Sequence, residues 1–312
     1  EQIPERAIGT PICADRFCAL DFSATGQTSR QILAGGIDAS RWKANLFVQY
    51  YDWNMYSDPT YDFQIRQWDR RFTYGFRVEG VLADSSTLRW TIGSEGRYDD
   101  IPKVQVDHTL DREFVEYVTA HSVEQGSIAA YTEVQWNVAQ DVRLLGGLRV
   151  DQYHFEARAT QPQFGSGTAS DNQLSPKVGA AWTLTPQVEL YGNWGRGFHS
   201  NDARGVAATD PPVPGLVPGE GKEVGGRLQR GTLSLTATYW WLDLDSELKF
   251  VGDSNSVEPG LPSERRGYEL VGFWRPLPWL AIDANWTQSL ARYVGAPGED
   301  RIPGAVESAG EL

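Results

Sequence analysis

Nowhere do the 312 residues hold a hydrophobic run approaching the about 18 positions that a membrane-crossing helix needs. That lack excludes a helical membrane protein. It says nothing against a membrane barrel, whose half-polar strands leave no hydropathy signal. Basic residues are too few for a nucleic-acid footprint: 28 Lys and Arg stand against 41 Asp and Glu, a net charge of −13. No nucleic-acid partner is therefore expected. Cysteine is nearly absent. Cys13 and Cys18 have no His or further Cys beside them, which argues against a metal site and leaves a disulfide or two free thiols. The pattern G-x-S-x-G is missing, as are H-E-x-x-H and a Walker loop, so no enzyme and no cofactor are expected. His154 is arguable as a lone base, but alternation sets no serine beside it. Glu1 to Arg6 has no apolar core of a signal peptide, so the chain is expected to be mature or a fragment.

Aromatic residues are plentiful, with 12 Trp, 13 Tyr and 12 Phe. They suit two interfacial girdles of a membrane barrel, or a soluble carbohydrate-binding β module. Apolar and polar residues alternate with a period of two, which is the signature of a strand with one apolar face. The pattern predicts strands at Thr28–Ala34, Trp42–Tyr50, Phe72–Val78, Leu88–Arg97, Ile128–Trp136 and Val142–Asp151. It continues at Val178–Leu184, Val188–Gly195, Glu220–Leu228, Leu233–Trp241, Tyr268–Trp274 and Leu280–Trp286. Residues 98–125 read as a long excursion with a partial strand over Glu113–Val123. The stretches 159–172, 203–219, 252–263 and 295–312 read as loops. Short turns alternate with long connections throughout.

Roughly 12 strands with that alternation predict an all-β, antiparallel, up-and-down transmembrane barrel, with short periplasmic turns and long outer loops. Greek-key sandwiches do not keep such regular connections. The polar face carries Arg71, Arg77, Glu79, Arg89, Glu95, Glu133, Arg143, Arg149 and Asp151, all expected to point into the lumen. The apolar face has no helix in the sequence to cover it, so outer-membrane lipid is the expected partner.

Gly195 to Gly205, GRGFHSNDARG, resembles a segment of the TonB-dependent outer-membrane receptors. Leu174-Ser175-Pro176-Lys177, Leu190-Tyr191-Gly192-Asn193-Trp194, Val217-Pro218-Gly219-Glu220 and Lys222-Glu223-Val224-Gly225 agree with it in order. So do Gly147-Leu148-Arg149-Val150-Asp151 and Gln67-Trp68-Asp69-Arg70-Arg71. The resemblance implies a barrel of about 22 strands closed by a plug, of which this chain would be an internal piece. It would lack the plug, its TonB-contacting segment (the TonB box) and a terminal aromatic strand, and its first and last strands would not pair. The family implies import of a scarce nutrient, most often a ferric siderophore. Energy would come through TonB, in the outer membrane of a Gram-negative bacterium. A self-contained 12-stranded channel or hydrolase, and a soluble carbohydrate-binding protein, are the alternatives.

Candidate ligand contacts fall into three groups. Phe198, His199, Ser200, Asn201 and Asp202 belong near the outer rim, as ligand or plug contacts or as rim geometry, with Asn and Asp for the turn. His108 and His121, with Asp107, Asp111 and Glu113, fall in one outer loop, able to meet a ferric ligand or a divalent cation or to be a solvated acidic loop; their spacing matches no metal motif, which favours the solvated loop. Tyr50, Tyr51, Trp53, Tyr56 and Tyr61 form an aromatic cluster at another outer loop, able to stack on a catecholate or sugar ring or to serve as a girdle.

Overall fold

The computed structural model describes residues 5–58, 63–251, 256–295, 300–302 and 305–311. A 3-10 turn at Glu5–Ala7 opens the chain. Strands then follow as β1 (Thr25–Asp38), β2 (Trp42–Ser57), β3 (Gln64–Asp84), β4 (Leu88–Leu110), β5 (Glu113–Asn137), β6 (Val142–Ala159), β7 (Gly167–Thr185) and β8 (Val188–Ser200). A short helix α1 (Ala203–Ala207) precedes β9 (Leu216–Arg230) and β10 (Leu233–Leu244). The rest are β11 (Leu248–Val251), β12 (Ser256–Pro259), β13 (Ser263–Leu277), β14 (Leu280–Tyr293) and β15 (Ser308–Glu311). One antiparallel sheet takes the order β1 through β10, then β13, β14 and β15; β11 and β12 form a separate hairpin.

Each expected strand is present and longer than its alternation indicates. Residues 39–41, 85–87, 138–141, 186–187, 231–232 and 278–279 make the short turns, all at one end of the sheet. Local chemistry fixes them. The Ser85 hydroxyl accepts the N–H groups of Thr87 and Leu88 at 3.3 and 3.0 Å, and Gly231 takes a φ of 59°. Gln31 lies opposite Tyr50 and Asp283 opposite Phe273, so the two ends of the sheet are not joined to each other among the described residues.

Several loop expectations are corrected. The excursion at 98–125 is strand on both sides, closed at its tip by Asp111 and Arg112 with φ of 49° and 72°. Two positive-φ residues give the turn whose twist matches a hairpin. Two bonds hold Arg112 there: its N–H donates to Gln64 Oε1 at 2.9 Å and its Nε to the Ser23 carbonyl at 2.7 Å. β6 ends at 159 and β7 takes up 167–172, so the connection shrinks to 160–166, and 203–219 contains α1 and the start of β9. Within 252–263, residues 252–255 lie outside the described ones, and β12 follows. The stretch 295–312 includes the edge strand β15.

The outward side chains decide the environment. Leu46 is 66% exposed, Val178 54% and Trp182 48%, and Leu148, Val150, Leu190 and Leu270 are exposed with them. No second sheet or helix layer covers these rows among the described residues. Trp42, Trp90, Trp136, Trp182 and Trp274 gather beside the short turns, as an interfacial girdle does. The compact apolar cluster lies elsewhere, at the other end. There Ile101, Val104, Val123, Phe155 and Ala157 pack against Ala203, Val206 and Leu216.

Candidate functional site

Parity gathers the charges on the face opposite the apolar rows. Arg149 bridges two carboxylates, Glu95 at 2.5 Å and Asp151 at 2.7 Å, and Asp151 is 1% exposed. Lys177 meets Glu133 at 2.5 Å; Arg143 meets Glu189 at 3.2 Å, and Glu189 also holds Arg227 at 2.9 Å. Arg77 pairs with Glu79 at 3.4 Å, and Tyr131 donates its hydroxyl to Glu79 at 3.0 Å. Arg89 reaches Asp84 at 3.7 Å, and Arg71 is bonded to Asp69. Arg77, Glu79, Arg89, Glu95, Glu133, Arg149 and Lys177 line a cavity of about 580 Å³. Above it Arg71, Arg97, Asp99, Tyr153 and Ser200 line a smaller one of about 230 Å³. Such a wall of mixed, mutually paired charge faces water or a polar occupant at little cost. Tyr131 and Lys177 escaped the sequence reading, although their parity on β5 and β7 matches that of Glu133 and Ser175.

At the outer mouth the wall forks. β7 pairs with β8 only over Lys177–Thr185 and Val188–Gly195. Above Gly195, among the described residues, β8 stays paired with β9 and β7 with β6, and the two no longer pair with each other. The 201–215 connection docks where the strands part. Asp202 caps α1, accepting the Arg204 N–H at 2.8 Å and its guanidinium at 2.6 Å. Asn201 donates its N–H to the Gly215 carbonyl at 3.0 Å and its Nδ2 to the Pro214 carbonyl at 2.7 Å. Asp171 on β7 accepts the Leu216 N–H at 2.9 Å. The GRGFHSNDARG segment thus shapes the rim, while Asn201 Oδ1 and His199 Nε2 are buried with no hydrogen-bond partner among the described residues. His199, Phe198, Arg196 and Trp240 line a further cavity of about 590 Å³.

Two glycines permit this docking. A Cβ on Gly167 would lie 2.1 Å from the Ala207 carbonyl oxygen, and one on Gly165 2.2 Å from that of Ala208. Backbone atoms cannot step aside as a side chain would. Gly167→Ala should therefore cost about 1–3 kcal/mol of docking by overpacking and expose 201–215 to protease. Gly146→Ala, with nothing within 4 Å of the new carbon, should leave the digestion pattern unchanged. Equal digestion of both variants would show that α1 is not seated here.

The two loop histidines are separated. His121 sits inside the mouth: its Nε2 donates to the Gly165 carbonyl at 3.1 Å, so Nδ1 accepts from Thr119 Oγ1 at 3.1 Å. Burial pushes its pKa below the usual histidine value; the Gly165 bond opposes this and nearby Arg204 adds to it. Asp202 is pushed up by burial but held net below the carboxylate range by Arg204. Between His121's lowered pKa and about 6.5 the unfolded chain binds the extra proton. Stability should therefore fall as pH drops below about 6.5, and His121→Gln should flatten that part of a thermal-unfolding pH profile. A profile unchanged by the substitution would contradict the burial. His108 stands on the hairpin away from this mouth, bonded to Glu116 at 2.9 Å, with its ring tilted against Phe63 at a centroid distance of 4.4 Å.

Other groupings are also revised. Tyr50, Tyr51, Trp53 and Tyr56 lie on β2 rather than in a loop, and parity puts Tyr51 and Trp53 on one face and Tyr50 and Tyr56 on the other. Tyr61 lies outside the described residues. Register sets Ser170 directly opposite His154, with Oγ 3.0 Å from Nδ1, contrary to the expectation that no serine neighbours it. The nearby carboxylates, Glu124 and Glu156, are held by Arg158 at 2.8 and 2.6 Å. Cys13 and Cys18 are joined as a disulfide, in the segment before β1. No cluster able to hold a metal ion occurs among the described residues.

The sequence matches the family described as TonB dependent receptor-like, beta-barrel over residues 19–309. No curated protein matches it. Among solved structures it is similar to the ferric yersiniabactin uptake receptor FyuA from Yersinia pestis, with a TM-score of 0.72 and 16% identity over 91% of this chain and 46% of that one. It is similar to the ferric citrate transporter FecA, at 0.69 and 14% over 91% and 46%, and to the copper transporter OprC, at 0.68 and 14% over 87% and 47%. At these identities the likeness concerns the fold, and the chain spans about half the length of those structures.

Proposed function

The chain belongs to the TonB-dependent receptor β-barrel family, and from that premise we propose that it forms barrel wall of an active-transport receptor in a Gram-negative outer membrane. The cargo we propose is a scarce nutrient, foremost a ferric siderophore, with energy delivered through TonB. One observation carries this reading: an uncovered apolar band backs an inner wall of paired charges. Such pairs can exchange partners with a polar plug, holding it between transport cycles and releasing it when it is pulled. Ligand would first meet the outer mouth, where His199, Asn201, Asp202 and His121 lie. His108, Tyr51, Trp53 and Tyr56 are farther candidates on the rising hairpins.

The test is uptake of radiolabelled ferric siderophores by iron-starved cells with and without the gene. Uptake should vanish in the deletion strain and equally in cells lacking TonB. Passage that survives loss of TonB would favour a self-contained channel and sink the energised reading.

A further inference from the structure

Above the apolar band, the outward face of β2–β4 changes character. Pairing of β2 with β3 runs without a register shift from Trp42 and Gly80 to Ser57 and Ile65. Arg66, Trp68 and Arg70 therefore stand on the same outward side as Phe72 and Tyr74. A bulge at Ile101–Pro102 gives β4 one extra residue and brings Lys103 opposite Arg70 on that side. Three cations converge on one indole: Lys103 Nζ lies 3.5 Å from the Trp68 ring centre, Arg66 4.3 Å and Arg70 5.7 Å.

Folding alone does not favour this. Like charges directly opposite on a sheet repel, and the chain as a whole is acidic. Only Arg70 has a salt bridge among the described residues, to Asp52 at 2.6 Å. Arg66 donates its Nε to Asn54 Oδ1 at 3.0 Å, and Lys103 has neither ion pair nor hydrogen bond among those residues. Asp107, opposite Arg66, is buried and takes both its bonds from the Gln105 amide at 2.7 Å. Burial also lifts the Asp107 carboxyl above its usual range. Arg158, on the same side of β6, is by contrast matched by two carboxylates.

Height identifies the occupant. Asp52, paired with Arg70, lies 10 residues beyond the girdle residue Trp42, and a tilted strand crosses the hydrocarbon in about 9–11 residues. The cluster begins where the hydrocarbon ends and the outer headgroups start. We infer that Arg66, Arg70 and Lys103, gathered around Trp68, bind the phosphate of an outer-leaflet lipid headgroup. Guanidinium forks match phosphate oxygens, and an indole suits the interface where acyl chain meets headgroup. This rests on the membrane-spanning reading above.

The test uses the full polypeptide reconstituted in phosphatidylethanolamine vesicles with and without lipid A, a phosphorylated glycolipid, and measures bound lipid A by titration. Wild type should bind it, less tightly as salt rises. Arg66→Gln with Lys103→Gln should weaken binding about 25-fold, from about fivefold per cation beside an anionic lipid. Charge-keeping Arg66→Lys with Lys103→Arg should retain binding, as should Arg158→Gln. Equal binding by the neutralised variant, equal loss with Arg158→Gln, or competition by inorganic phosphate as effective as by lipid A would each overturn the inference. Failure to insert in any vesicle would instead strike the membrane reading itself.

Discussion

Arg149→Ala should lower the unfolding free energy by about 3–5 kcal/mol, the cost of leaving a buried charge without its partner. Asp151 is 1% exposed, and its hydrogen bonds come from Arg149, through Nε at 2.8 and 3.0 Å and Nη2 at 2.7 Å. Removing the guanidinium strands that carboxylate and frees Glu95 on β4, which lies across β5 from β6. Replacing Asp151 by Asn in the same chain removes the stranded charge. The double variant should therefore recover much of the loss, a non-additivity expected of residues in one network. Equilibrium unfolding in detergent measures both. Additive losses would mean that Asp151 is solvated and the bore wall wetter than the geometry indicates.

A second large effect is expected where a charge is placed on the apolar side. Val178 lies opposite Gly146 and Trp194, between the girdle at Trp182 and the outer mouth. Val178→Arg should cost about 2–4 kcal/mol near the bilayer midplane. Thr91→Arg places the same side chain on the inner wall, in the cavity that Glu133 also lines. It should change stability by no more than about 1 kcal/mol. Refolding into lipid vesicles reads out the contrast. Equal costs at the two sites would mean that the faces do not differ in solvent.

The membrane-spanning parts of the strands were legible because each keeps strict alternation: Leu144, Leu148 and Val150 face one way and Arg143, Arg149 and Asp151 the other. Their outer extensions were not. Above the band the outward residues turn polar, as at Arg66 and Arg70, so alternation loses its contrast. On β4 the bulge at Ile101–Pro102 then inverts parity, so Val104 and Val106 face in where Ile92 faces out. The tip turn hid for another reason: Asp111 and Arg112 adopt positive φ without glycine. The proximity of Ser170 to His154 depends on register across a whole hairpin, which no single strand encodes. Docking of α1 depends on Gly165 and Gly167, whose lack of a side chain carries meaning only once Ala207 and Ala208 arrive. The division of the Tyr50–Tyr56 cluster between two faces, in contrast, was available from parity alone.

The most direct test is a nitroxide scan along Arg143–Asp151 of β6 in reconstituted vesicles, comparing collisions with oxygen and with a water-soluble nickel chelate. Labels at 144, 146, 148 and 150 should collide mainly with oxygen. Those at 143, 145, 147, 149 and 151 should collide mainly with nickel, alternating without a break. Uniform nickel access along the strand, or oxygen preference at both parities, would contradict a wall that separates lipid from a watery bore.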